Sequence, residues 1–389
     1  MTNKKLHKIL LAIKNVVGNK KCVLHEPYFD KIESSLINKS INSISVSTYG
    51  KETDIFERKI REFTGAKYSF ALINGTSALH LCLFISGIKA DSEVLIPALN
   101  YIASANATLY LGGTPHFIEI EENTFGPDVS KLEKYLKKNT IIKNNNCINK
   151  KTKKIIKALV ATHIFGHPCN IQEIKKLCKR FKLVLIEDAA EGLGSYYKNK
   201  HVGTFGSLGV LSFNGNKIIT TGGGGAILTN SKKLASKINH LYKISRTGKK
   251  WEYKYSSLGF NYRMPSINAQ LGIAQLKKIK KFLSAKRKLF RAYSKSFKDL
   301  KDIKIIKEPK NSLSNYWLQT MLLKKPNKKF LNSILTKTNK IGYGTRPAWK
   351  LLNTNTYLNK YPKMNLKIAS SLEKRIINLP SSPKLWLKK

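Results

Sequence analysis

Ser212-Phe213-Asn214-Gly215-Asn216-Lys217-Ile218-Ile219-Thr220-Thr221-Gly222-Gly223-Gly224-Gly225 is the stretch whose reading decides the fold. The run Gly209-Val210-Leu211-Ser212-Phe213 reads as a strand that delivers one lysine into a turn. Glycines follow, and Ala226-Ile227-Leu228-Thr229 reads as the next strand. A solvated lysine is inert. One placed between apolar strands can lose its charge on burial and attack a carbonyl as the free amine. The glycines permit positive φ and close approach of backbone to a ligand. Alone, the pattern also fits a Gly-rich turn that happens to contain a lysine.

Leu183-Val184-Leu185-Ile186-Glu187-Asp188 has the continuous apolar character of a buried parallel strand, and it ends in two carboxylates. In an open α/β sheet the carboxyl ends of strands face the ligand crevice. An Asp there, paired with a Lys from a later strand, is the arrangement that pyridoxal phosphate needs. The amine holds its aldehyde as a Schiff base, and the carboxylate keeps the pyridine nitrogen protonated.

The chain has 389 residues, 42% of them hydrophobic, enough for a large core and a smaller second domain. Its 71 Lys+Arg against 23 Asp+Glu give a formal net charge of +48. That charge invites a nucleic-acid reading. The lysines, however, are scattered beside Asn and Ile, without interleaved aromatics or a recognition-helix pattern, which fits compositional bias better. A positive surface would still draw in anionic substrates. Cys22, Cys82, Cys147, Cys169 and Cys178 are odd in number and form no CxxC pair. They read as free thiols of a reducing cytoplasm, with no disulfide framework and no metal site. The short apolar core in Met1 to Lys21 reads as an amphipathic helix packing on the body. No run approaches membrane-spanning length, so a soluble protein is expected.

Along the chain, helices are predicted over Phe29 to Ile41 and over Glu52 to Thr64, the latter with Ile55, Ile60 and Phe63 inward. Strand Tyr68 to Ile73 runs into Asn74-Gly75-Thr76-Ser77 and a helix, a strand–turn–helix that makes an anion site. Strand Glu93 to Pro97 leads to Asn100-Tyr101, where an aromatic ring is placed to lie on a planar ligand. Lys137 to Lys157 reads as a solvated loop or insertion. Strand Ile155 to Thr162 ends at His163-Ile164-Phe165-Gly166-His167, either histidine of which can face the crevice or be satisfied by backbone. Strand–helix alternation to about residue 230 predicts a mostly parallel sheet with helices on both faces. Ser266 to Phe297 is helical and basic, and the remainder reads as a small α+β unit, with a strand over Trp317 to Leu323. The expected organisation is an N-terminal segment over 1–45, a large domain over 46–275 and a small C-terminal domain over 276–389.

Asn74 to His80, Glu187-Asp188-Ala189-Ala190-Glu191, Ser212 to Lys217 with its Thr-Thr-Gly run, and Gly259-Phe260-Asn261-Tyr262-Arg263-Met264 stand in an order that resembles the DegT/StrS sugar aminotransferases. The resemblance runs from about His25 to Pro383. His163 to Cys169, Lys250-Trp251-Glu252-Tyr253, Ser314 to Leu318, Thr345-Arg346-Pro347-Ala348-Trp349 and Arg375 to Ser382 look like a narrower group, the aminotransferases of legionaminic-acid-type pathways. The all-glycine quartet Gly222 to Gly225, in place of the commoner Gly-Glu-Gly-Gly, is a variant of that group.

The resemblance implies a fold-type I pyridoxal-phosphate architecture and a homodimer with active sites at the subunit interface. It further implies glutamate as amino donor and a nucleotide-linked 4-keto-6-deoxy-HexNAc sugar as acceptor. By position it makes Lys217 the Schiff-base lysine, Asp188 the partner of the pyridine nitrogen and Tyr101 the ring-stacking aromatic. Gly75, Thr76, Ser77 and Ser212 fall at phosphate-binding positions, and Asn261 where an asparagine reaches the phosphate of the neighbouring subunit's cofactor. Glu191 stands where many relatives have Gln or His near the cofactor's phenolic oxygen. A carboxylate there must be protonated or turned elsewhere. His163, Arg246, Arg263, Arg346 and Trp349 are candidates for the nucleotide and carboxylate. The rival readings are a 3-keto sugar aminotransferase, a dehydratase of related fold (which carries His where this chain has Lys217), and a basic nucleic-acid-binding or regulatory protein.

Overall fold

The computed structural model describes residues 2–249 and 251–387. Met1, Lys250, Lys388 and Lys389, which the readings above place in the N-terminal segment, the Lys250 to Tyr253 stretch and the C-terminal domain, lie outside the described residues. The large sheet takes β1 (Tyr68–Leu72), β2 (Ser92–Pro97), β3 (Thr114–Ile118), β4 (Thr140–Lys143), β5 (Asn146–Asn149), β6 (Ile155–Thr162) and β7 (Val184–Asp188). Two short strands outside it, β8 (Tyr196–Tyr197) and β9 (Lys200–His201), precede β10 (Leu208–Ser212) and β11 (Gly225–Thr229), which complete it. The path across the sheet is β1-β11-β10-β7-β6-β2-β3.

From β10 to β3 every pairing is parallel. β11 is antiparallel to both β1 and β10, so β1 points the same way as the parallel strands. The chain therefore forms the expected fold-type I α/β sheet with one reversed strand. β2, β10 and β11 are buried along their whole length, as unbroken apolar runs covered by helices on both faces must be. The carboxyl ends of β1, β2, β6, β7 and β10 emerge on one edge, and β11 starts there.

Two local expectations differ from the structure. Lys137 to Lys157 is a β-hairpin, not a solvated loop. β4 pairs with β5, Asn144 and Asn145 turn with φ of 49° and 58°, and β5 pairs on to Ile155 and Ile156 of β6. Its inward side is secured by polar groups: Asn149 Nδ2 donates to both oxygens of the buried Glu93 carboxylate at 3.2 and 3.0 Å, and Thr152 donates to it as well. In the helix Lys51–Thr64 the inward residues are Thr53, Phe56, Glu57, Ile60 and Thr64, whereas Ile55 and Phe63 are only partly buried. Glu57 turns inward because its Oε1 accepts the Ala71 N–H at 2.8 Å and the Tyr242 hydroxyl at 3.2 Å. Apolar periodicity does not register such a residue.

Beyond the sheet, β12 (Arg246–Thr247) and β13 (Lys254–Tyr255) form a ribbon. The helix Ser266–Ser296 then runs unbroken through position 276, with Gly272 pressed against Phe56 and Thr221. Two lysines of this basic helix are inside. Lys278 pairs with Asp30 and Glu33, and Lys286 donates to the carbonyls of Trp317 and Ser381. The C-terminal unit contains β14 (Ile303–Ile305), β15 (Ser312–Leu313, paired with β8), β16 (Gln319–Leu323), β17 (Arg346–Pro347) and β18 (Ile376–Leu379). Its antiparallel sheet has the order β14-β16-β18-β17. The strand predicted from Trp317 starts at Gln319, because the Trp317 N–H is taken by Asn315 Oδ1 and the Leu318 N–H by the Phe165 carbonyl.

The N-terminal helix Thr2–Val17 buries Leu6, Ile9, Ala12, Ile13 and Val16 in a second core with Leu289, Tyr293, Phe330, Ile377 and Leu379. No helix among the described residues is long and apolar enough to cross a membrane.

Candidate active site

Lys217 lies in the turn after β10. The turn is held by its own backbone: Phe213 N–H donates to Gly224 O at 2.8 Å, Thr221 N–H to Phe213 O at 2.9 Å and Lys217 N–H to Asn214 O at 2.9 Å. The Lys217 amine sits 3.3 Å from Glu191 Oε1 and 3.9 Å from the centroid of the Trp317 ring. Asp188 ends β7, whose register with β10 sets Asp188 opposite Val210. Its carboxylate accepts the Ala190 N–H and the Ser104 hydroxyl, each at 3.2 Å, and is 5% exposed. Burial pushes its pKa up, against the pull of the Ala190 N–H and of the Lys217 charge. Such a carboxylate calls for a cationic N–H beside it.

β1 leads into the helix Gly75–Ile85, capped by Asn74, whose side chain accepts the Ser77 N–H at 2.7 Å. A Cβ on Gly75 would stand 3.2 Å from Ser212 Cβ, and one on Gly225 would fall 2.6 Å from the Asn74 carbonyl. The glycines are required because the helix start is pressed against the ends of β10 and β11. Gly75, Thr76, Ser77 and Ser212 are thereby gathered at a helix N-terminus, where N–H groups and hydroxyls receive an anion.

Tyr101 is 55% exposed, too open for ordinary packing. It is fixed from beneath: Asn100 Oδ1 accepts its N–H at 2.8 Å while Asn100 Nδ2 donates to Thr162 Oγ1 at 2.9 Å. Its ring meets Trp349 edge-on, centroids 6.3 Å apart, and Trp349 stacks on Phe165 at 5.2 Å. Tyr101 and Trp349 therefore make one aromatic wall, which Phe165 backs.

The other sequence candidates lie elsewhere. His163 is fully buried and both ring nitrogens are engaged, Nδ1 accepting the Cys169 N–H and Nε2 facing Glu187. Glu187 also accepts the N–H groups of Gly203, Phe205 and Gly206, so this pair braces the sheet rather than facing the cleft. Asn261, Arg246 and Arg263 line a separate open cavity of about 1000 Å³, shared with Tyr49, Lys243 and Tyr253. There Arg263 binds Thr48 O and Asp54, and Arg246 lies over the Tyr253 ring. Arg346 is exposed and bonds to Asn339 and to the Thr345 carbonyl.

Trp317, Ser104 and Asn100 touch site residues and were not singled out in the sequence. Ser104 follows Asn100 by one helical turn, which was the available clue. Trp317 stands in the Ser314 to Leu318 stretch, but its approach to Asn216 spans 101 positions.

This set of residues fits pyridoxal phosphate. Lys217 would hold its aldehyde carbon, the under-compensated Asp188 its pyridine nitrogen, the Gly75–Ser77 helix start and Ser212 its phosphate, and Tyr101 a face of its ring.

Comparison with known proteins agrees. A model of the DegT/DnrJ/EryC1/StrS aminotransferase family matches residues 27–389. The chain is 36% identical over 365 residues to the GDP-perosamine synthase of Escherichia coli O157:H7, covering 93% of each chain. It is 35% identical over 269 residues to the UDP-4-amino-4,6-dideoxy-N-acetyl-beta-L-altrosamine transaminase of Campylobacter jejuni strain 81-176, covering 69% of this chain and 67% of that one. Among solved structures, Helicobacter pylori PseC, an aminotransferase of pseudoaminic acid biosynthesis, superposes with a TM-score of 0.82 at 28% identity, covering 93% of this chain and 94% of that one. With the site and these likenesses in agreement, the chain is a pyridoxal-phosphate-dependent aminotransferase belonging to the DegT/DnrJ/EryC1/StrS family.

Proposed function

We propose that the enzyme moves an amino group from glutamate to C4 of a nucleotide-linked 4-keto-6-deoxy-HexNAc sugar, in the cytoplasm, for surface-glycan or nonulosonic-acid biosynthesis. The observation that carries the reading is the half-buried Lys217 amine, held between Glu191 and the Trp317 ring, with the under-compensated Asp188 at the end of the neighbouring strand and the Asn74-capped helix start beyond it. Pyridoxal phosphate supplies the electron sink that makes a proton on the reacting carbon removable. Lys217 Nζ would carry that proton from the donor's α-carbon to the cofactor's aldehyde carbon, and in the sugar half a proton from that carbon to C4. Asp188, anchored by Ser104 and Ala190, keeps its charge directed at one point, and burial keeps water from screening it. Tyr101 and Trp349 offer the flat apolar wall against which a ring is oriented.

In this reading the active form is a homodimer in which Asn261 reaches the phosphate of the partner's cofactor, while Arg246 and Arg263, which line the same cavity, receive the nucleotide or a carboxylate. Relatives named for GDP- and for UDP-sugars leave both nucleotides in play. The test is to give the purified, pyridoxal-phosphate-loaded enzyme glutamate and GDP- or UDP-linked keto sugars, and to identify the product by mass spectrometry and NMR. A new amine at C4 is expected. Amination only at C3, or none with either nucleotide, would overturn the assignment.

A further inference from the structure

Glu191 is the residue that family likeness leaves without a role, and three structural elements converge on it. Its Oε2 accepts the Phe165 N–H at 2.7 Å, delivered by a backbone held at φ 56°. Its Oε1 receives the Lys217 amine at 3.3 Å. Both oxygens therefore face N–H donors. Burial pushes its pKa up, and the largest opposing influence is the Lys217 charge. On the other side the amine lies over the Trp317 ring face, within cation–π range.

The two walls are built by one residue. Asn315 Nδ2 donates to the Glu191 carbonyl at 2.7 Å and to Leu193 O at 2.9 Å, while its Oδ1 accepts the Trp317 N–H at 2.7 Å. The indole N–H is tied to Asn216 O at 2.7 Å, next to Lys217 itself. Behind Trp317 stands His25, its ring centroid 6.5 Å away, buried and with neither nitrogen hydrogen-bonded. Burial first, then the charges of Lys286 and Lys217, push the pKa of that imidazole down.

We propose that Glu191 and Trp317 form a holding site for the protonated Lys217 amine, occupied whenever that amine is not covalently engaged. Glu191 is then the counter-ion of the lysine and not a partner of the cofactor's phenolic oxygen. Both act through Lys217 and are positioning residues. The inference rests on the reading of Lys217 as the cofactor-bearing lysine, but its test needs neither sugar nor amino donor. Cofactor-free protein is acylated with acetic anhydride at neutral pH, and the labelling rates of Lys217 and of the buried Lys286 are followed by peptide mass spectrometry. Glu191→Gln, nearly isosteric, is expected to raise the Lys217 rate about tenfold by freeing the amine from its charge-assisted bond. Trp317→Leu is expected to raise it about threefold and Trp317→Phe to stay near the parent. Lys286 is expected to label equally in all of them. An unchanged Lys217 rate in Glu191→Gln overturns the proposal, as does a parallel rise at Lys286, which would report loosening of the fold. Should Trp317→Leu not fold, the Glu191→Gln and Trp317→Phe proteins decide. A protein that passes this test yet aminates no sugar would refute the proposed function alone.

Discussion

Under the roles proposed for Asp188 and Lys217, removing either is expected to give a distinct defect. Lys217→Ala is expected to lower turnover by at least about 10²- to 10⁴-fold, the range for loss of a positioned proton-transfer group. Pyridoxal phosphate should still bind non-covalently through the Gly75–Ser77 helix start, which equilibrium dialysis and steady-state assays would check together. Asp188→Asn should instead keep covalent capture while losing turnover, since Lys217 is intact. Both residues were legible because each ends or follows an apolar run. Trp317 and Ser104 were not, because their importance comes from contacts made 101 and 84 positions away along the chain. His163 shows the opposite case: a histidine just past a strand's carboxyl end can face the crevice or be satisfied by backbone, and only the three-dimensional placing of Glu187 and the Cys169 N–H shows it occupied.

At the scale of elements, the helix Lys51–Thr64 carries a pH-dependent support for β1. Burial drives the Glu57 carboxyl from 4.5 up to about 7, despite the Ala71 N–H that favours its charge. Between those values the folded chain binds more protons at this site than the unfolded one. The stabilising contribution is therefore complete below about 4.5 and is lost as pH rises through about 7. Relative to Glu57→Gln, the parent should lose about 3 kcal/mol of stability between those limits, measurable by urea denaturation across pH. Gly225→Ala belongs at the same scale. Its methyl would fall 2.6 Å from the Asn74 carbonyl, so it should cost about 1–3 kcal/mol and loosen the phosphate-receiving helix start. The mostly parallel character of the sheet was legible in apolar runs alternating with helices, because buried parallel strands have few sequence alternatives. The β4–β5 hairpin escaped notice because its Lys/Asn-rich composition resembles a loop, while its order depends on Glu93, a carboxylate more than forty positions earlier.

For the whole molecule, the proposed sharing of sites between two subunits can be decided by a mixing experiment. Lys217→Ala and Asn261→Ala should each be inactive alone. Refolded together, they should regain about a quarter of the parental sites, because each mixed dimer assembles one intact site. No recovery would mean that Asn261 serves its own subunit. The basic composition was the poorest guide at this scale. Most of the +48 charge is carried on residues that are not buried, whereas Lys278 and Lys286 are turned inward to hold carboxylates and carbonyls.

The segment carrying His25 is fastened to the far end of the chain. Leu24 O accepts the Ser381 N–H at 2.6 Å, and the Glu26 N–H reaches Ser382 Oγ across 356 positions. On the ribosome, the early half of this clasp emerges long before its mate exists. The wall behind Lys217 is consequently among the last parts of the molecule to close, since the clasp waits until Ser381 and Ser382 have been released.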